Sequence, residues 1–269
     1  MPDADALIAS LRNSHDRFTA LVADLDEPAV QGPSYASDWS IGQVASHLGS
    51  QAEIFGLVLD AGLAGQDAPT GPQFQAVWDV WNARGAAEQV AESLAANEAF
   101  VARVEQLPEA DRDRFAIDMF GRKLDLAGMI TMRLSEHAVH TWDVAAALDP
   151  AAVIAPDAVE LLIDEVVGAT AARSGKAEQE PRTLVVETTD PARVFTLTTG
   201  PAVALVPADE SEAGSEAEAE TEAESAARLR LPAESLVRLV YGRLDDAHTP
   251  DGVTGADLLP GLRAVFQGF

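Results

Sequence analysis

Between residues 3 and 25 the apolar side chains Leu7, Leu11, Phe18, Leu21, Val22 and Leu25 recur near helical spacing, which predicts an amphipathic helix. A second helix is predicted in "SIGQVASHLGSQAEIFGLVLD", where Ile41, Val44, Leu48, Phe55 and Leu59 share one face and Ser40 stands three residues before Gln43 as a capping box. After a Gly- and Pro-containing stretch at 62–72, an Ala-rich region favours helix to about residue 106, with Trp78 and Trp81 early and Phe100, Val101 and Val104 late. Pro108 ends it. A fourth helix runs from about Leu124 to Leu148 and closes at Asp149-Pro150, because the residue before proline avoids the helical region. Four helices joined by loops make an antiparallel bundle the default arrangement.

Beyond residue 150 the pattern changes. A helix in "PDAVELLIDEVVGATAA" leads into "RTLVVETT", "RVFTLTTG" and "AVALVP", short β-rich runs separated by turn residues, with "RLRL" as a possible fourth strand. "PAESLVRLVYGRL" and "GADLLPGLRAVFQGF" read as helices covering that sheet. The expected fold is therefore two domains, an all-α four-helix bundle over 1–150 and a small α+β domain over 151–269.

With 269 residues, 47 % of them hydrophobic, the chain can bury a sizeable core. No apolar run approaches the roughly 20 residues of a membrane span, and "MPDADALIAS" lacks the basic and apolar regions of a signal peptide, so a cytoplasmic location is expected. There is no cysteine. Disulfides, thiolate ligands and a cysteine nucleophile are thereby excluded, and any thiol chemistry must use a thiol from outside. The formal charge of −26 argues against nucleic acid and anionic membranes as partners, since both are polyanions that demand Lys and Arg contacts. Part of that charge is local: residues 208–225 hold one Asp and seven Glu with no basic residue and no large apolar side chain. Such a segment reads as a disordered, solvated insertion.

The candidate chemistry lies in "RLSEHAVHTWD", residues 133–143. A helix advances about 100° per residue, so Glu136 and His140 project from one face a turn apart and Asp143 follows on nearly the same line. Apolar neighbours on both sides leave little room for a broad solvent face, and an inward carboxylate needs a cation or a metal. His47, one turn after Val44 on the second helix, can reach the interior. His47, Glu136 and His140 make a workable three-ligand set for Zn²⁺ or a similar divalent ion, with open positions as a catalytic site requires. By spacing alone, an exposed i, i+4 polar pair and a hydrogen-bonded core histidine stay open as alternatives. His137 points away from this face and reads as a surface or packing residue, and Trp39 and Trp142 as core or pocket-lining aromatics.

The segments "SDWSIGQVASHLGSQAEIF", "MRLSEHAVHTWDVAAALDP" and "LRLPAESLVRLVYGRLDDAHTP … LLPGLRAVFQGF" together resemble the mycothiol-dependent maleylpyruvate isomerase family, in the right order over nearly the whole chain. The resemblance implies a DinB-like metal-binding bundle joined to a sterol-carrier-protein-like domain, with the metal held by His47, Glu136 and His140. It implies mycothiol as thiol cofactor or co-substrate and a small-molecule electrophile as partner. In such an isomerase the thiolate adds to the cis double bond of maleylpyruvate, the new single bond rotates, and expulsion of the thiol leaves fumarylpyruvate. The enolate-like charge calls for a metal or a positioned arginine. Arg243 in "VYGRL", at the end of a helix of the second domain, is the candidate, with Arg238 as competitor. Asp143 is expected to orient a ligand histidine. A mycothiol S-transferase shares the activation step, and a non-enzymatic metal- and ligand-binding module is the alternative of a different class.

Overall fold

Capping side chains set the helix ends. In the computed structural model, which describes residues 2–36, 38–177, 181–208 and 227–268, Asp3 accepts the Asp5 N–H at the start of α1 (Ala4–Val22), and Asp26 accepts the Ala29 N–H at the start of the short α2 (Glu27–Val30). At α3 (Ile41–Ala64) the box is reciprocal: Ser40 Oγ accepts from the Gln43 backbone at 3.1 Å and Gln43 Oε1 accepts the Ser40 N–H at 2.8 Å. Gly65, with φ 63°, closes that helix in the left-handed conformation that glycine adopts without strain.

The predicted third helix is two. α4 (Gly71–Asn82) and α5 (Ala86–Glu105) are separated by Ala83, Arg84 and Gly85. An unbroken helix over this region would run about 50 Å, well beyond the roughly 36 Å of α3. The break lets Trp81 turn onto α3 while α5 packs along it. After α6 (Glu109–Arg114) comes an element that apolar periodicity does not announce, a hairpin of β1 (Ile117–Met119) and β2 (Arg122–Leu124). Its two-residue turn, Phe120 at φ 52° and Gly121 at φ 73°, has the positive dihedrals that suit the twist of paired strands. α7 (Leu126–Leu148) starts on Asp125, whose side chain accepts the Gly128 N–H.

The long helices α1, α3, α5 and α7 form the bundle, and their directions differ from the antiparallel default. Along α3 and α5 the contacts rise together, Gly42 with Ala86, Phe55 with Phe100 and Asp60 with Arg103, so these neighbours are parallel. Tyr35 with Asp143, Trp39 with His140 and Leu48 with Arg133 run in opposite senses, so the segment leading through α3 is antiparallel to α7. α4 makes this possible, because it carries the chain back along the bundle before α5 begins. The core between α1, α3, α5 and α7 includes Leu7, Leu11, Phe18, Val44, Leu48, Leu59, Val104, Ile130 and Leu134, each fully buried.

The chain divides into two compact units, Met1–Ala158 and Val159–Phe269. The predicted helix over 156–172 breaks at 163–166 into α8 (Pro156–Leu162) and α9 (Val167–Ser174). A four-stranded sheet follows in the order β5–β4–β3–β6, from β3 (Arg182–Thr189), β4 (Arg193–Thr199), β5 (Ala204–Pro207) and β6 (Ala227–Pro232). β3 pairs antiparallel with β4 and parallel with β6, and Val186 stands between Phe195 and Leu229. Leu184, Val186, Phe195, Leu197, Leu205, Leu229 and Leu231 bury the inner face. α9 packs on β5, and α10 (Ala233–Val240) on β3 and β6; a 3₁₀ turn and α11 (Leu259–Val265) end the described chain. The fold is thus an all-α four-helix bundle followed by a small α+β domain. The acidic stretch, apart from Ala208, lies outside the described residues. No described helix is long and apolar enough to cross a membrane.

Candidate metal centre

Two helices supply the polar cluster. The capped start of α3 places His47 two turns in, and the i, i+4 pair Glu136 and His140 faces it from α7. One ligand atom from each of the three lies within 4.8 Å of the others. His47 Nε2 is 3.3 Å from Glu136 Oε2, and His140 Nε2 is 3.8 Å from the same oxygen. The imidazoles meet edge to face at 4.5 Å. The indole of Trp39, which the spacing only allowed as a core or pocket-lining aromatic, lies against both, stacked at 26° on His140 and tilted on His47. The side chain of His140 is 11 % exposed and that of Glu136 29 %, so the cluster is largely sheltered while Glu136 keeps some contact with solvent.

Asp143 lies behind His140. It is fully buried, its Oδ2 lies 2.8 Å from His140 Nδ1, and its backbone carbonyl accepts the Tyr35 N–H. A carboxylate only accepts, so Nδ1 carries the hydrogen of that bond and Nε2 is the nitrogen turned toward Glu136. Burial opposes the charge of Glu136, but the hydrogen bond from His47 and the fields of His140, His47 and Arg133 outweigh it and hold the carboxyl down at about 2. Burial also lowers the pKa of His47, against the pull of Glu136. An ionised carboxylate beside a neutral imidazole is the state in which these groups ligate metal. Two imidazole nitrogens and one carboxylate oxygen form a donor set suited to Zn²⁺ and similar ions. Replacing Asp143 by Asn is expected to weaken divalent-metal affinity about 10–100-fold while the helices stay intact. Competition against a chromophoric chelator measures this, and unchanged affinity would remove the orienting role.

The remaining candidates lie elsewhere. His137 is fully buried on the side of α7 facing α1, its Nδ1 2.8 Å from Ser14 Oγ and 3.2 Å from Thr141 Oγ1. Trp142 is buried, its indole N–H donating to the Ala152 carbonyl at 2.8 Å. Arg243 belongs to the second unit and is not on a helix: α10 ends at Val240, and Gly242 at φ 71° turns the chain before it. Its Nη1 donates to the Tyr241 carbonyl at 2.8 Å. Arg238 is buried, with its guanidinium on Glu234 and the His248 carbonyl.

Arg133 is not singled out by the spacing argument. It is fully buried and donates to the Leu48 carbonyl at 3.1 Å and to Asn97 Oδ1. Burial lowers its pKa to about 10, with Glu136 acting the other way, so it stays charged at neutral pH. Its position at i−3 from Glu136 and i−7 from His140, on the same stripe, was the available signal.

Residues 11–145 match the family model described as the mycothiol maleylpyruvate isomerase N-terminal domain. Two solved structures are similar over 94 % of this chain and 92 % of theirs at 12 % identity: a crystal structure of the mycothiol-dependent maleylpyruvate isomerase, TM-score 0.66, and one of a histidine-to-alanine mutant of it, TM-score 0.65. At that identity the likeness is one of fold. No match was found among curated proteins.

Proposed function

The chain belongs to the mycothiol maleylpyruvate isomerase family, and on that premise we propose that it is a metal-dependent enzyme that activates mycothiol for addition to a small electrophile, with cis–trans isomerisation of a maleylpyruvate-like substrate as the leading reaction. The observation that carries this reading is the convergence of His47, Glu136 and His140 within 4.8 Å. These three would hold the ion. A bound divalent cation supplies one piece of chemistry, lowering the pKa of a coordinated thiol so that thiolate is present at neutral pH.

The protein's own residues do the rest. Asp143 keeps His140 Nε2 turned toward the other ligands, and Trp39 covers the imidazole faces and limits the water around them. A chain without cysteine offers no competing thiol of its own. In the isomerase reaction a carbon–sulfur bond forms as the external thiolate adds to the double bond, and the displaced electron pair resides on the conjugated carbonyl oxygen. Rotation and return of that pair expel the thiolate and restore the double bond in its trans form. Arg243 is proposed for the developing oxyanion, the role that the family resemblance suggests for it. S-transfer to another electrophile shares the activation step and differs in the product.

Titrating mycothiol into cobalt-loaded protein tests the common step. A new sulfur-to-cobalt charge-transfer band is expected at saturation. A visible spectrum indifferent to the thiol would end the thiol-activation reading. Maleylpyruvate converted without loss of free thiol then marks the isomerase, whereas stoichiometric thiol consumption marks the transferase.

A further inference from the structure

We propose that Arg133 is a positioning residue for the metal centre, a strap that fixes the register between the helix carrying His47 and the helix carrying Glu136 and His140. The assignment rests on the metal reading above. On α7, Arg133 lies about one turn before Glu136 and two before His140. Its Nη2 crosses to α3 and donates to the carbonyl of Leu48, the residue after His47, at 3.1 Å. The same nitrogen donates to Oδ1 of Asn97 on α5. Asn97 is itself held, because its Nδ2 donates to the Ser93 carbonyl at 2.8 Å and so turns Oδ1 toward the guanidinium. Both hydrogens of Nη2 are therefore used, one on each neighbouring helix, and the side chain ties α3, α5 and α7 together at one point.

The apolar contacts between α3 and α7 are non-directional and tolerate sliding. A hydrogen bond to the backbone one residue from His47 does not. A slip of one residue along a helix is about 1.5 Å, whereas metal–ligand distances are satisfied only within about 0.2 Å. Fixing the register is thus what lets an imidazole on one helix and a carboxylate on another serve one ion. Stability alone does not account for an arginine here. Its Nε and Nη1 have no hydrogen-bond partner in the structure and it pairs with no carboxylate among the described residues. A hydrophobic side chain of similar size is often as good or better for stability than a buried ionic group.

The test compares wild type with Arg133→Met, Arg133→Lys and Asn97→Ala, each prepared without metal, checked for helicity, and titrated with Co²⁺ against a competing chelator. Arg133→Met is expected to bind Co²⁺ about 10–100-fold more weakly, by analogy with residues that support metal ligands from behind, and to shift the cobalt d–d bands as the ligands lose their register. Arg133→Lys should recover part of the affinity, since an ammonium reaches one of the two acceptors, and Asn97→Ala should show a smaller loss. A purely structural arginine would change the thermal midpoint and leave cobalt affinity and spectrum at wild-type values; that result overturns the proposal. Should Arg133→Met fail to fold, the other two variants decide it in the same way, weakened binding supporting the strap and unchanged binding overturning it. Wild type that takes up no Co²⁺ overturns the metal reading itself and this assignment with it.

Discussion

Replacing His47 by alanine is expected to abolish stoichiometric uptake of zinc or cobalt, with affinity falling by more than about a hundredfold. Disturbing a group that only supports a ligand costs up to about that much, and His47 would be one of just three protein donors, the only one contributed by α3. Glu136→Gln should have an effect of the same order, because the amide keeps the shape of the carboxylate but removes the anion that offsets the charge of the ion. The two variants should retain the helicity of wild type: His47 lies at the edge of the core rather than in it, and its side chain is 19 % exposed. Equilibrium dialysis with metal analysis reads the result directly. Wild-type metal content in either variant would mean that the ion, if one is bound, is held elsewhere. Burial lowers the pKa of His47, which favours the neutral imidazole that ligates metal.

Trp81→Ala should lower stability by about 3–5 kcal/mol, the usual range for emptying a large buried aromatic site. Trp81 is 1 % exposed, and its ring occupies the notch that Gly49 leaves on α3. A Cβ at position 49 would stand 2.1 Å from Trp81 Cη2, so Gly49→Ala should itself cost about 1–3 kcal/mol through overpacking. The two changes act on one space. In the Trp81→Ala background the added methyl meets no ring, and its cost should largely vanish, which gives a coupling of about 1–3 kcal/mol. Urea denaturation followed by far-ultraviolet circular dichroism measures all three variants. Strict additivity would show that the ring and the glycine do not share a site. The consequence reaches the metal centre, because Gly49 follows His47 by two residues and any shift of α3 to relieve the clash moves the imidazole.

Local chemistry made several elements readable from the chain alone. The Ser40 and Gln43 pair announced the start of α3, Asp149-Pro150 the end of α7, and β-rich composition between turn residues the strands β3 and β4. These signals act within a few residues, so nothing distant can cancel them. The break at Ala83–Gly85 was not readable, because a helix-favouring composition continues through it and the reason for stopping, the reach of α3 and the seat for Trp81, lies on another element. The hairpin around Phe120 and Gly121 was missed because Phe in the first turn position is not among the residues that ordinarily mark such a turn. The parallel course of α3 and α5 was hidden for a different reason: amphipathic patterns say which face of a helix is buried and are blind to its direction.

The same division runs through the candidate site. Helical spacing alone put Glu136, His140 and Asp143 on one line and made His47 available from a second helix, because side-chain direction on a helix follows from sequence separation. That His140 turns its Nδ1 to Asp143, that Trp39 lies against both imidazoles, and that the three donor atoms come within 4.8 Å are outcomes of packing. Arg133 shows the difference most plainly. Its place on the stripe was visible from its number, but whether a long cation there reaches water or a backbone carbonyl depends on how closely α3 and α5 approach α7. The sequence by itself determined which residues could meet and which chemistries were excluded, since composition and periodicity are properties of the chain. Only the tertiary structure decided which residues do meet, since distance and direction between helices are set by the fit of side chains far apart in sequence.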